Sequence, residues 1–360
     1  MATISLCMIV KNEEKVLARC LESMQNAVDE IIIADTGSTD RTKEIAKKYT
    51  DKVFDFEWVD DFSKARNFSF SKAEKDYIMW LDADDIISEE NRKKLIQLKN
   101  NLENEDVVMM KYITAFDENG NAAFSYYRER LLRKASKPIW KGRVHEAIEP
   151  KGNILYSDIE IEHHSIKTKY SQRNLAIYEK QIKDGEALHP RDIFYYGREL
   201  YYHNKYDKAI KTLSDFIQNK SGWVENKIEA CRILSYCYRS IGDMDNALNT
   251  LFHSFSYDMP RAETCCEAGS LFMMKEQYNQ AIYWFKLALE LPKNEQNGGF
   301  NNMDAHGYLP CIQLCVCYDK LGNHTEAEKY NNKAGEYRPS SAAYLQNVEY
   351  FNTLHQSGIF

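Results

Sequence analysis

Apolar residues fall into two patterns along this chain, and the change comes near residue 190. Over roughly the first 165 residues, short unbroken apolar runs alternate with helically spaced ones. Ile4–Val10, 30–34, 52–56 and 75–81 are runs of the kind carried by strands buried on both faces. Between them, Val16, Leu17, Cys20, Leu21 and Met24 predict a helix over 13–24, and a second is expected over 41–49. The turn Asp35-Thr36-Gly37-Ser38-Thr39-Asp40 caps that second helix. Strand–helix–strand repetition implies right-handed crossovers and a mostly parallel sheet, an α/β fold of Rossmann-like type. Ligands of such sheets bind beyond the carboxyl ends of the strands. Polar clusters sit at three such ends, at 11–14, 35–40 and 82–85.

Beyond residue 190 the strand pattern stops and helix pairs repeat. Similar turns, each with Gly or Asn, recur before Ala209, Ala247, Ala281 and Ala327. A period near ~34 residues, Ala at the helix crossing and a later Pro form the tetratricopeptide pattern. Phe285, Ala288 and Pro292 continue it in the third unit, and Ala334 and Pro339 in the fourth. A polar insert over 293–304, with Gly298 and Gly299, lengthens the last interval. Ala belongs where two helices cross because a larger side chain would push them apart. An irregular bundle would not need the same turn four times. The expected organisation is an α/β domain over 1–165, a helical linker over 166–190, about four repeats over 191–339 and a tail over 340–360.

Composition narrows the functional classes. The chain has 360 residues, 44% hydrophobic and 28% charged, which is an ordinary globular balance. Its net charge of −7 makes a general nucleic-acid binder a poor reading. No apolar run reaches the ~18–20 residues of a transmembrane helix. The first apolar run lacks a basic segment before it and is not expected to be a signal peptide. The nine cysteines include no CxxC pair. Cys311 and Cys315 stand one helical turn apart, a spacing open to a metal, but reduced cysteines serving as small core hydrophobes are the expectation. A reducing, cytoplasmic setting follows from that.

The sharpest chemical signal is Asp82-Ala83-Asp84-Asp85, delivered to a strand end by apolar residues before it. Carboxylates suit a hard cation such as Mg²⁺ or Mn²⁺, and such a cation also binds diphosphate. The plainer alternative is an acidic turn in which Asp85 or Ser88 caps the next helix. The ordered set of three motifs resembles the inverting family-two glycosyltransferases of GT-A fold: Ile4 through Glu14, Asp29 through Asp40, and Trp80 through Asp85. The segment from Phe56 to Asn67, with Asp60-Asp61-Phe62-Ser63-Lys64-Ala65-Arg66-Asn67, is similar to the branch of that family that carries tetratricopeptide repeats. Bacteriocin-peptide S-glycosyltransferases join such a domain to helical repeats in the same way.

That resemblance implies roles residue by residue. Ile9, Val10, Lys11 and Glu13 would pack on the nucleotide of a UDP-sugar, though Ile9 and Lys11 stand where many relatives have Pro and an aromatic. Asp35 would accept from uracil N3–H, and its alternative role is to form the turn with Gly37. Arg66 would reach the nucleotide, Asp82 with Ala83 the ribose, and Asp84 the metal. In the segment Trp140-Lys141-Gly142-Arg143-Val144-His145-Glu146, Glu146 is the expected base and His145 its competitor. Trp140 would form a platform for sugar or acceptor, or else belong to the core. His163, with His164 next, would approach the metal and diphosphate, or else be a satisfied structural histidine. One base and no carboxylate nucleophile means single displacement with inversion. The repeats look rich in inward tyrosines (Tyr195, Tyr196, Tyr201, Tyr202, Tyr236, Tyr238), which suits a peptide or protein acceptor; core filling or homodimerisation are the alternatives. A saccharide or lipid-linked acceptor, a non-enzymatic repeat scaffold and a nucleotidyltransferase are the rival readings. The last of these lacks a Gly-rich basic phosphate loop after the first strand.

Overall fold

The computed structural model describes residues 1–116, 120, 122–166, 171–293 and 301–357. The chain divides into two compact units, one of residues 1–115 and 125–188, the other of 116–124 and 189–360.

The first unit is built on strands β1 (Ile4–Val10), β2 (Glu30–Asp35), β3 (Val53–Asp55), β4 (Tyr77–Trp80), β5 (Asp85–Ile86), β6 (Val107–Phe116), β7 (Ala122–Arg133) and β8 (Ile154–His163). They follow one path in the order β3-β2-β1-β4-β7-β6-β8-β5. The first four are parallel, as the alternation of strands and helices requires. Beyond β4 the sheet is mixed: β7 runs antiparallel to β4, β8 parallel to β6, and β5 antiparallel to β8. β1 shows why its apolar run is unbroken. Leu6, Met8 and Val10 pack into one core layer, and Cys7 into another with Ile32, Ile78 and Trp80.

Helices α1 (Leu17–Ser23), α2 (Thr42–Ala46), α3 (Phe62–Ser71), α4 (Glu89–Asn101) and α5 (Arg173–Lys183) cover the sheet. α1 and α2 are shorter than their apolar spacing suggests. Residues just before α1 form a turn, with Val16 and Leu17 donating to the Glu13 carbonyl at 3.1 and 3.0 Å. α3 starts where the Asp61 side chain accepts from the Lys64 N–H at 3.0 Å. α5 corrects the expectation of a linker over 166–190, of which 167–170 lie outside the described residues. Its apolar stripe buries Leu175, Ile177 and Tyr178, and the Tyr178 hydroxyl donates to the Val144 carbonyl at 3.2 Å. α5 is thus part of the first unit.

The second unit holds the helix pairs α6 (Pro190–Tyr202) and α7 (Tyr206–Gln218), α8 (Val224–Ser240) and α9 (Met244–His253), α10 (Ala262–Met274) and α11 (Tyr278–Glu290), and α12 (Tyr308–Lys320) and α13 (His324–Tyr337). The expected tail is a further helix, α14 (Ala342–Gln356), which buries Phe351 against Cys315 and Ala327; residues 358–360 lie outside the described residues. Most of the polar insert, 294–300, also lies outside them. Ala209, Ala247, Ala281 and Ala327 are fully buried, as a close helix crossing demands. The four intra-pair turns share one device. Asn204, Gly242, Glu276 and Gly322 adopt left-handed φ of 57°, 85°, 57° and 74°. The N–H that follows each donates back across the turn, to Leu200, Tyr238, Phe272 and Tyr318, at 2.9 Å in every case. This is the Schellman closure that satisfies orphaned helix carbonyls. The inward tyrosines are buried or half-buried, and Tyr201 stacks on Tyr236 at 6.0 Å. All nine cysteines are buried and free, and burial pushes thiols such as Cys237 up to about 12. They serve as core hydrophobes, Cys311 and Cys315 included.

Glu276 holds the turn position at which its repeats prefer Gly or Asn. Glu276→Gly removes the Cβ strain of a left-handed residue and should stabilise the second unit by about 0.5–1 kcal/mol. Thermal unfolding tests this, and a lowered melting temperature would show that the Glu276 side chain itself stabilises the turn.

Candidate active site

β1 and β2 end level, Val10 pairing with Asp35, while β4 stops three residues short of them, Trp80 pairing with Cys7, so the chain from Leu81 runs on toward the same edge. The loops beyond them are stitched to one another. The Asn12 N–H donates to Ser38 Oγ at 2.9 Å, the Thr39 N–H donates to Asn12 Oδ1 at 2.8 Å, and the Glu13 N–H donates to Thr42 Oγ1 at 2.7 Å. Over these ends lies a cleft of about 530 Å³. Ile9, Val10, Lys11 and Glu13 line it after β1, Asp82, Ala83 and Asp84 after β4, Arg66 from α3, and His145 and Glu146 from a later loop. Ten of the residues singled out from sequence therefore meet in one place.

Arg66 ties the two acidic parts of the cleft together. Its Nε donates to Glu146 Oε1 at 2.5 Å and its Nη2 to Asp82 Oδ1 at 2.7 Å. The guanidinium is buried, 5.0 Å from the Trp80 ring centroid and 4.8 Å from that of Trp140. Burial by itself would raise the Asp82 carboxyl, but Arg66 and Arg130 outweigh it and bring it down to about 2. One oxygen of Glu146, the base expected from sequence, is thus committed to Arg66. Its neighbour His145 holds a left-handed φ of 51°, a strained conformation of the kind that collects at functional sites.

Four residues singled out from sequence stand outside the cleft lining. Trp140 is only 2% exposed and meets Trp80 edge-on at 4.9 Å. It is a core residue behind Arg66, so the platform expected there is corrected: the ring has no open face to offer a sugar. Asp35 forms the turn, Oδ1 accepting from the Gly37 and Ser38 N–H groups at 3.0 and 2.8 Å. Its Oδ2 is buried with no hydrogen-bond partner among the described residues. The His164 ring bonds Glu162 at 2.8 Å, while its backbone N–H donates to the Asp84 carbonyl at 2.9 Å. Successive side chains of a strand point to opposite faces, so only one of two adjacent histidines can reach the carboxylates. That one is His163, because β5 and β8 pair Asp85 directly with it.

Asp84, Asp85 and His163 bring ligand-capable atoms within 4.8 Å of one another. Burial raises the Asp84 carboxyl; His163 pulls it back, and Asp82 and Asp85 add to the rise. A divalent cation would relieve that crowding, and mixed carboxylate and imidazole donors fit Mn²⁺ at least as well as Mg²⁺. The residues present therefore fit a metal. Sequence reasoning missed Asp85 as a member of this group, along with Tyr112 and Arg130 beneath it. Asp85 stood in the motif but read as a cap, and the other two are single polar positions within strands, with no motif to mark them.

Residues 5–151 match the description Glycosyl transferase family 2. Nearly the whole chain is similar to the SPbeta prophage-derived glycosyltransferase SunS of Bacillus subtilis (strain 168), 32% identical over 369 aligned positions that span 97% of this chain and 86% of SunS. The chain belongs to glycosyl transferase family 2. This family-two glycosyltransferase is also 36% identical, over 149 residues covering 41% of it, to a TPR repeat-containing protein of Synechococcus elongatus, of which 36% is covered. Among solved structures, S. aureus TarS 1-349 in complex with UDP-GlcNAc is similar at a TM-score of 0.41 and 16% identity, over 71% of this chain and 91% of that one. No helix among the described residues of the family-two chain is long and apolar enough to cross a membrane.

Proposed function

We propose that this glycosyltransferase moves a sugar from a UDP-sugar to a peptide or protein Ser, Thr or Cys by single displacement with inversion. The observation that carries the reading is the convergence of Asp82, Asp84, Arg66 and Glu146 on one strand-end cleft, with His163 beside Asp84. In this reading Ile9 and Val10 pack on the nucleotide, and the unpartnered Asp35 Oδ2 accepts from uracil N3–H. Asp82 and Ala83 border the ribose, and Lys11 lies on the phosphate side. Asp84 and His163 hold Mg²⁺ or Mn²⁺. When bound, the cation offsets charge on the leaving diphosphate. Glu146 takes the acceptor proton through its second oxygen, and Arg66 fixes the first; His145 is the other candidate for this role. The near-full-length likeness to SunS supports sugar transfer, and repeats that expose a long surface favour an extended polypeptide acceptor over a small sugar.

Asp84→Ala should weaken UDP binding in the presence of Mn²⁺, leave it unchanged in EDTA and abolish transfer. Calorimetry that finds one UDP affinity for the wild type with Mn²⁺ and with EDTA would sink the metal reading. Glu146→Gln keeps the shape and the bond to Arg66 but cannot take a proton, so transfer should fall by ~10²-fold or more with UDP-sugar affinity nearly unchanged. A wild-type rate in that variant would move the role to His145.

The acceptor reading has its own test. A chain ending after Leu188, shown to be folded by circular dichroism, should still bind UDP and hydrolyse UDP-sugar slowly while losing transfer to the acceptor polypeptide. Undiminished transfer would mean that the repeats do not capture the acceptor, and a saccharide or lipid-linked acceptor would become the better reading.

A further inference from the structure

The loop that carries Glu146 is closed on itself. The Lys141 N–H donates to the Ala147 carbonyl and the Ala147 N–H to the Lys141 carbonyl, each at 3.0 Å, with residues 142–146 looped out between them. Two of these have left-handed backbone, Gly142 at φ 97° and His145 at φ 51°. The second is unfavourable for a residue with a Cβ, and such a conformation persists only where the surroundings hold it. Three elements grip the loop. Arg66 on α3 binds the Glu146 carboxylate at 2.5 Å. The Phe62 N–H, at the start of α3, donates to the Arg143 carbonyl at 2.9 Å. From α5, the hydroxyl of fully buried Tyr178 donates to the Val144 carbonyl at 3.2 Å.

The last of these bonds has the most leverage on the site. The Val144 carbonyl belongs to the rigid peptide plane that joins Val144 to His145. Fixing that plane fixes the φ of His145, and with it the direction in which the chain leaves toward Glu146. α5 makes other ties as well. Lys180 Nζ pairs with Asp60 Oδ2 at 2.6 Å, and Asp60 Oδ1 accepts the Trp58 indole N–H at 3.0 Å, so the same helix pins the loop after β3. Arg143 pairs with Glu186, just past the end of α5. Those two ion pairs are open to water and are worth little singly. The Tyr178 bond is buried, and a buried carbonyl that loses its donor must move to find another.

We propose that Tyr178 is a positioning residue for sugar transfer: through the Val144 carbonyl it holds the left-handed turn at His145 and so aims the second oxygen of Glu146. The proposal rests on the reading of Glu146 as the base, and it adds α5 to the machinery that holds that base in place. Arg66 fixes the carboxylate at its tip, and Tyr178 fixes the backbone from which the side chain springs.

Tyr178→Phe in the full chain tests it, because it deletes one oxygen and keeps the ring in its packing. The first measurement needs neither nucleotide nor acceptor. Amide hydrogen exchange over residues 141–147 should quicken in the variant while β1 and β4 stay protected; unchanged exchange in the loop overturns the proposal. The second is hydrolysis of the best donor in a panel of UDP-hexoses with Mn²⁺. In Tyr178→Phe, kcat should fall by ~10-fold or more with KM for the donor unchanged, the pattern of a group felt only in the transition state. A lowered melting temperature with wild-type kcat would make Tyr178 structural alone and overturn the proposal. In the Glu146→Gln background, Tyr178→Phe should add little, because it acts through Glu146; a full multiplicative loss overturns that route. The base reading fails separately: Glu146→Gln at the wild-type rate, with Tyr178→Phe still slow, would mean that the loop is positioned as proposed and that His145 is the base. A chain inert to every donor refutes the UDP-sugar reading, and hydrogen exchange then decides the positioning role by itself.

Discussion

The first unit depends on the buried ion pair between Arg130 and Asp85. An isolated carboxylate in the interior is far too costly to keep charged, and an isolated guanidinium is no better. Paired at 3.0 Å, with Asp85 taking two further donors through its other oxygen, both become tolerable. Removing either partner alone from such a pair typically costs about 3–5 kcal/mol, because the survivor is left uncompensated. The pair also fixes the chain around it. The Asp82 N–H is tied to Asp85 Oδ2, so the turn after β4 has one shape, and Arg130 on β7 bonds the Trp80 carbonyl at 3.1 Å and holds that turn to the sheet.

From that anchor the rest of the site follows by charge balance. Asp82 faces the second buried arginine, Arg66, which also holds Glu146. Two arginines answer two of the three motif carboxylates and one carboxylate from a distant loop. Among the described residues Asp84 pairs with no arginine, only with His163 at 3.5 Å, and its proton affinity is raised by burial and by Asp82 and Asp85. The interior thus marks one carboxylate of three as the place where an added cation lowers the energy most. The packing of Trp140 belongs to the same arrangement: edge-on to Trp80, it forms with that ring an aromatic wall beside Arg66 and keeps water from weakening the two ion pairs.

The second unit runs on local rules. An alanine at each crossing, a left-handed residue at each turn and one hydrogen bond back across that turn recur four times. Each rule involves residues close in sequence, so its signature survives in the order of residues. The same logic explains the three parallel strand ends, since each apolar run is followed at once by its own polar cluster.

The amino-acid order by itself determined the two-part organisation, the parallel start of the sheet, the repeat register and ten residues of one cleft. These rest on periodicity and on neighbours a few positions apart. Tertiary structure alone decided which carboxylate is spoken for and which is open. Arg130 and Asp85 are 45 positions apart in number but share one interior point through the β4–β7 pairing, and His163 reaches the motif only because β8 lies beside β5. It also decided that Trp140 is wall and not platform, that Glu146 shares its charge with Arg66, and that α5 is packed structure instead of linker. In each case the deciding quantity is a desolvation energy, set by what surrounds a side chain in space, and no spacing along the chain carries it.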